Sequence, residues 1–455
     1  MPAAETSEPR TVRLSGRASA QIQRLPLPSP ASGEEMAGAV FHDTDDRALR
    51  RRGITLSRIA DPERGWLLSV PEGDDHWAVE VPRLRSAPER LPAAVAQLLS
   101  GIVGQDELIE IDDDGQTAES ETGAKESAKP AKKAPSKKGK AKNRKAVATG
   151  GEPSGVDVLQ AVLAQQAAAL ELWDLKARLD LPDALHQLRV AARSLRGLLK
   201  SARPFLDREA ADELGDRLQQ LGRSLSAARD AEVLAEQLPA RAEALQGRVG
   251  EKTVQALAQT ALKDAEASAA KVRGGAQPER AATLELARCA AQNPPFTDKG
   301  RKKAEELSPR QMSGRLVRRA LRKAAQETDR TLAADRDEQL DAEQRLEHLH
   351  TVRKATKRVR YVTKVLTAAG FRPAKPMRKL GKAAKKAQDA LGETMDASVA
   401  LTWLQDSTAA LRRAGADPFE LGLLTGAELQ RLAHGVDEGY EVMARLARRF
   451  EDHSS

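Results

Sequence analysis

Two stretches of this chain carry the same run of cationic side chains behind a histidine: HQLRVAARSLRGLLK from His186 and HTVRKATKRVRYVTKVL from His350. Aligned on the histidines, His186 matches His350, Arg189 matches Arg353, Arg193 matches Lys357, Arg196 matches Arg360 and Lys200 matches Lys364. The offsets i, i+3, i+7, i+10 and i+14 fall on one stripe of an α-helix at about 3.6 residues per turn. The chemistry open to such a stripe is anion binding. Arginine offers a planar fork for two oxygens at once, lysine a mobile point charge, and imidazole one further donor. A rise of ~1.5 Å per residue sets successive cations roughly 5 Å apart, close enough to follow a continuous line of phosphates.

Cations this close repel, and helices usually relieve the repulsion with interleaved acids. Here the relief is missing. Between Asp183 and Asp207 there are five Lys or Arg and no acid, and from His350 to Gln388 thirteen Lys or Arg and no acid, in a chain with 66 acidic residues. One basic helix reads as a solvated face. Two matched, acid-free copies point to a polyanion site. The second copy adds Lys354 and Arg358 to the candidate set. A further basic segment, KPMRKLGKAAKKAQ, carries Lys375, Arg378, Lys379, Lys382, Lys385 and Lys386, several on one helical face, and reads as a wall of the same site. Arg315, Arg318, Arg319, Arg322 and Lys323 form a similar cluster, diluted by Glu327 and Asp329. Asp230 and Asp396 are candidates to orient the histidines or position the arginines. A histidine at the head of each stripe predicts affinity that strengthens below about pH 6.5, as imidazole becomes cationic.

These stripes need helices to hold them. Leu185, Leu188, Leu195, Leu198 and Leu199 lie opposite the first stripe and supply an apolar face for a core. From about residue 155 to 452 the periodicity is helical, with helices expected over 156–179, 183–203, 207–240, a pair up to about 292, and then 311–333, 341–368, 375–404 and 427–450. The segment NPPFTDKG reads as the loop closing the first half, and Gly370, Pro373 and Pro418 read as breaks. The 164-residue spacing of the histidines makes the region an internal duplication. Arg229-Asp230-Ala231-Glu232-Val233 parallels Met395-Asp396-Ala397-Ser398-Val399, each downstream of a Leu-Gly pair.

The rest of the chain differs. Residues 1–111 hold short strand-like segments, AVFHDT, GITLSRI, GWLLSVP and HWAVEVP, separated by turn residues. Residues 112–152 begin with Asp112, Asp113 and Asp114 and continue into KESAKPAKKAPSKKGKAKNRK, with ten basic residues and one acid, a composition that predicts a disordered linker. The 455 residues suffice for two or three domains. Their net charge of +8 suits an anionic partner. A single cysteine, Cys289, excludes a disulfide framework and reads as a small buried hydrophobe. The N-terminus MPAAETSEPR lacks the pattern of a secretory signal, and no stretch approaches 18 apolar residues, so a cytoplasmic protein without a membrane partner is expected.

The paired His-x-x-Arg-x-x-x-(Arg/Lys)-x-x-Arg helices and the later aspartates resemble the CHAD domain, the conserved histidine α-helical domain. The marks are His186, Arg189, Arg193, Arg196 and Asp230, then His350, Arg353, Lys357, Arg358, Arg360, Tyr361 and Asp396. The resemblance covers residues 153–452, with repeats over about 155–292 and 308–452. It implies a mainly α fold of two pseudo-symmetric four-helix bundles, basic faces lining a central channel, and binding of inorganic polyphosphate rather than catalysis, with association to polyphosphate granules in prospect. The N-terminal region, through VFHDTDDRALRRRGITLSRI and the strands after it, resembles part of a CYTH domain, the triphosphate tunnel fold often fused ahead of CHAD. That resemblance implies a Glu-x-Glu-x-Lys strand for metal and substrate. The corresponding RTVRLSGRASAQIQRL has none, so triphosphate hydrolysis is not expected. Arg50, Arg51, Arg52 and Arg58 allow either some retained phosphate affinity or, the favoured reading, a solvated strand edge.

Two other functions compete. A nucleic-acid binder is favoured by the lysine-rich linker, which would neutralise any phosphate backbone, and disfavoured by a scarcity of aromatic residues for stacking on bases. A phosphohydrolase would need clustered carboxylates for a metal. His186 and His350 have no companion ligands in sequence, and His348 lies on a different helix face from His350, so no metal or other cofactor is expected.

Overall fold

The strand-like segments at the start of the chain close into one antiparallel sheet. The computed structural model describes residues 10–13, 19–26, 39–59, 65–82, 89–104, 106–111, 153–274, 277–336 and 340–451. Strands β1 (Arg10–Arg13), β2 (Ser19–Pro26), β3 (Val40–Asp43), β4 (Thr55–Arg58), β5 (Trp66–Glu72), β6 (Asp75–Val81) and β7 (Ile109–Ile111) pair in the order β1-β2-β6-β5-β4-β3-β7. Alternation sets one apolar face: Trp66, Leu68 and Val70 of β5 are buried, opposite Val81, Val79 and Trp77 of β6. Helix α1 (Ala93–Val103) buries Val95, Leu98, Leu99 and Ile102. Arg50–Arg52 form a short 3₁₀ turn rather than a strand edge, because the buried Asp43 carboxylate accepts from the backbone N–H of Leu49 (2.9 Å) and Arg50 (3.0 Å). Arg51 pairs with Asp46, and Arg58 with Glu89 (3.2 Å) and Glu110 (3.5 Å), so these cations already have carboxylate partners. The chain divides into two compact units: residues 1–150 with 174–182, and residues 151–173 with 183–455. The lysine-rich linker read at 112–152 lies outside the described residues.

The second unit is helical. Its elements are α2 (Gly155–Arg178), whose last residues belong to the first unit, α3 (Ala184–Ala202), α4 (Arg208–Ser224), α5 (Ser226–Glu243), α6 (Glu251–Gly274), α7 (Gln277–Gln292), α8 (Asp298–Glu305), α9 (Pro309–Ala334), α10 (Ala342–Ala368), α11 (Lys375–Arg413) and α12 (Pro418–Glu451). Helices α9 to α12 pack on one another as the expected four-helix set. The first half is cut more finely than four helices. The run expected as 207–240 breaks at Leu225, between Ser224 and Ser226, whose hydroxyls donate to the carbonyls of Leu221 (2.8 Å) and Gly222 (2.9 Å).

Three other boundaries differ for reasons of capping. NPPFTDKG is only partly a loop, since Thr297 caps α8 by accepting from Gly300 N (3.0 Å). A side chain at Gly300 would strike the Phe205 backbone, its Cβ falling 2.0 Å from Phe205 O, so this return past α3 requires glycine. Helix α11 runs on past residue 404 to Arg413, ending before Gly415 at φ +93°. Pro418 opens α12 instead of interrupting the chain before it, with Asp417 accepting from the N–H of Phe419 (2.8 Å) and Glu420 (3.1 Å).

The core of this unit joins its halves. Leu188, Leu195, Leu198 and Leu199 of α3 are buried, and so are Val352, Val359 and Val362 of α10. A second seam gathers Leu257 of α6, Leu404 and Leu411 of α11 and Leu424 of α12. Arg241 of α5 meets the fully buried Glu428 of α12 at 2.6 Å.

Candidate functional site

The apolar faces of α3 and α10 decide where their basic stripes go. With the leucines and valines turned inward, the cations of both helices line one cleft of about 520 Å³. Arg193, Arg196 and Lys200 come from α3; His350, Arg353, Lys354, Lys357 and Arg358 come from α10. The helices approach closely where α3 has no side chain: a Cβ at Gly197 would lie 3.4 Å from Arg358 Cγ and 3.9 Å from Val362 Cγ2. Tyr361 is buried in the lining.

Helix α4 and the start of α5 supply the remaining wall, with Leu218, Gln219, Gly222, Arg223 and Ser226. Sequence reasoning missed Arg223, Gln219 and Ser226 because α4 carries acids among its basic residues and has no acid-free stripe. The available signal was the Leu221-Gly222 pair, which Arg223 follows directly. Eight Lys or Arg side chains and no Asp or Glu line the cleft.

Not every stripe residue reaches it. Arg189 is buried and turns to the α5 side, donating to Asp230 Oδ1 (3.3 Å), Ser226 O (3.4 Å) and Ser226 Oγ (3.2 Å). Asp230 is thus a partner of Arg189, not of His186. Its counterpart Asp396 acts through charge on Arg353 and Lys357. His350 sets Nδ1 3.1 Å from Met395 Sδ, with no carboxylate holding the ring. His186 is half-buried outside the lining, Arg360 lies over the Tyr361 ring at 5.7 Å, and Lys364 is exposed.

The basic face of α11 is a correction to the expected wall. None of Arg378, Lys379, Lys382, Lys385 and Lys386 lines this cleft. Burial of Leu380, Ala384, Ala387 and Leu391 fixes the rotation of α11 and leaves Lys379, Lys382, Lys385 and Lys386 exposed, with Lys385 2.7 Å from Asp389. Cys289 is exposed, not a buried hydrophobe. Its thiol is pushed above its usual range by partial desolvation of the sulfur and by Glu285, 3.5 Å away, which disfavours a reactive thiolate.

Crowding cations in a half-buried cleft changes their proton affinity. Lys357 is pushed down to about 7, first by desolvation and then by Arg353, Arg193 and Arg189, with Asp396 opposing. Lys200 is pushed down to about 8 by desolvation and by Arg196 and Arg358. The two histidines are shifted in the same direction. His350 is held below the ordinary imidazole value by burial and then Lys354, and His186 by burial, with Arg229, Arg189 and Arg193 adding to the effect. Folding thus brings two lysines of the cleft, Lys357 and Lys200, down toward neutral pH. Buried Nε atoms of Arg196 and Arg353 have no hydrogen-bond partner among the described residues, so donors remain for a ligand.

Among the described residues, no group of three or more His, Cys, Asp or Glu side chains is placed to hold a metal ion, and no helix is long and apolar enough to cross a membrane.

Comparison with known proteins places this geometry in context. The CHAD domain pattern matches residues 161–405. Two uncharacterized proteins of Mycobacterium tuberculosis, from strains CDC 1551 / Oshkosh and ATCC 25618 / H37Rv, are each 26% identical over 468 residues, spanning 86% of this chain and 86% of theirs. The solved structure of PptA from Streptomyces chartreusis is similar with a TM-score of 0.46 and 18% identity, covering 65% of this chain and 100% of that one.

Proposed function

Because this chain belongs to the CHAD domain family, we propose that it binds inorganic polyphosphate, as a holding protein and not as an enzyme, in the cleft between α3 and α10. One observation carries the reading: cations from two duplicated helices converge on one cleft with no carboxylate in its lining. Polyphosphate offers only charge and oxygen acceptors, with neither base edges nor apolar surface. A lining of arginine forks and lysines matches that chemistry, and the charge it concentrates draws such a ligand in.

The cleft is expensive to leave empty. Desolvated like charges disfavour the protonated form of Lys357, and a polyanion reverses that balance. Within this reading Arg193, Arg196, Lys200, Arg223, Arg353, Lys354, Lys357 and Arg358 contact phosphate, His350 adds a donor, and Asp230 positions Arg189 behind them. Residence in the cytoplasm and at polyphosphate granules would follow from such binding.

The test is competition at fixed salt between polyphosphate and single-stranded DNA of matched charge, with phosphate release from tripolyphosphate followed in Mg²⁺ and in Mn²⁺. Preferential displacement by polyphosphate without release of phosphate is expected. Preference for DNA would favour a nucleic-acid binder, and metal-dependent release an enzyme.

A further inference from the structure

The cationic lining does not stop at the central cleft. Lys200 and Arg358, at its margin, also line a neighbouring cavity of about 440 Å³ with Ser201, Arg203, Arg319, Arg322 and Lys323. Ser201, Arg319 and Arg322 then line a third cavity of about 320 Å³, completed by Lys303, Arg315 and Arg318 above Pro204 and Phe205. Each cavity shares residues with the next, and no Asp or Glu lines any of the three.

This second stretch is built on α9. Met312, Leu316, Val317, Ala320 and Leu321 are buried, which fixes the rotation of the helix and leaves Arg315, Arg318, Arg319 and Arg322 exposed along it. Arg319 is tied across to α3 by donating to Lys200 O (3.3 Å). Of the acids nearby, Glu327 pairs with Lys323 and Arg330 (3.5 Å) and Asp212 with Arg203 and Arg208 (3.7 Å), while Asp212 and Asp216 line a separate adjoining cavity that shares Arg196, Lys200 and Arg203. Arg315, Arg318 and Arg322 form no hydrogen bond or ion pair with any described residue. Arg315 and Arg322 are seven positions apart on the helix, roughly 10 Å of groove at ~1.5 Å per residue.

We infer that the α9 arginines form a second binding stretch continuous with the cleft, engaged only by polyphosphate chains long enough to leave the cleft past Lys200 and Arg358. This rests on the polyphosphate reading and adds chain-length discrimination to it. A short chain neutralises the central lining alone. A long one gains the outer contacts at no further cost of association, because the second engagement is intramolecular.

The experiment compares the full chain with its Arg315→Gln/Arg318→Gln/Arg322→Gln variant, titrating each with tripolyphosphate and with long-chain polyphosphate. The three sites are exposed, and an unchanged melting temperature verifies the fold. The variant should bind long chains about tenfold or more weakly while tripolyphosphate affinity stays within about twofold. The slope of log affinity against log salt for long chains should flatten by about two, taking ~0.7 per lost contact on a single strand. Equal losses for both ligands, or no loss for either, would overturn the second stretch while leaving the cleft intact. A wild-type protein that binds neither polyphosphate would instead remove the parent reading, and this one with it.

Discussion

Gly197 of α3 and Arg358 of α10 meet across the cleft, a β-carbon built on the glycine falling 3.4 Å from Arg358 Cγ. That approach holds two duplicated helices close enough for their cations to share one space. Alanine at 197 needs only ordinary van der Waals contact, whereas a longer side chain has to displace Arg358 or Val362. Gly197→Leu should cost about 1–3 kcal/mol by overpacking and weaken polyphosphate binding, while Gly197→Ala changes both little. Thermal unfolding and titration of the two variants check this.

The lining separates stripe residues that reach the cleft from those that only share the pattern, and on the polyphosphate reading the two groups should respond differently to substitution. Single alanine substitutions at Arg193, Arg196, Arg353 and Lys357 should each weaken binding by about tenfold, near 1.4 kcal/mol per contact. Substitutions at Lys364, Lys382 and Lys386, exposed and outside the cleft, should change affinity by less than about twofold. Comparable losses in both groups would mean that net charge, not the cleft, is what binds.

The pH dependence should come from lysine. Lys357 sits near 7 in the free protein, and a bound polyanion raises it by stabilising the ammonium form. Binding on the alkaline side of 7 therefore takes up a proton, and affinity climbs as pH falls toward about 7, with Lys200 contributing from about 8. Calorimetry near pH 8 in buffers of different ionisation enthalpy should register that uptake, and Lys357→Met should remove its share.

The same residue predicts a stability trade. Between the folded value near 7 and the ordinary lysine value, the unfolded chain holds a proton that the folded chain lacks, so Lys357 makes stability rise with pH through that window. Below it, the protonated ammonium is buried among arginines and destabilises the fold. Lys357→Met should raise the melting temperature at neutral pH while weakening binding, and a lower melting temperature would contradict the account.

Asp230 offers a structural control. Its carboxylate is 3.3 Å from the buried Arg189 guanidinium, so Asp230→Ala leaves that cation with only Ser226 as a partner. A stability loss of about 1–3 kcal/mol is expected. Binding should persist at temperatures where the variant is folded, as circular dichroism combined with titration would show.

Much of this is legible in residue order. Helical periodicity locates the elements around both stripes, the four strand-like segments correspond to β3 to β6, and the absence of acids from His350 to Gln388 marks the cationic stretches of α10 and α11 from residue types alone. Boundaries set by single caps, at Thr297 and Asp417, are less visible, because one hydrogen bond decides them. So is the break at Leu225, where two serine hydroxyls compete for helix carbonyls.

What the sequence alone determined is which helix faces are charged and that the charged pattern occurs twice, since both follow from the 3.6-residue period acting on residue type. It could not say which charged faces meet. That depends on helix rotation and on the partner of each helix, which burial decides: Leu198 and Val362 turn α3 and α10 toward one cleft, whereas Leu380 and Ala384 leave the lysines of α11 in solvent. Proton affinity, too, belongs to the tertiary structure. Lys357 is an ordinary lysine in the sequence and is pushed to about 7 because folding desolvates it and adds Arg193 and Arg189 of another helix to Arg353 of its own.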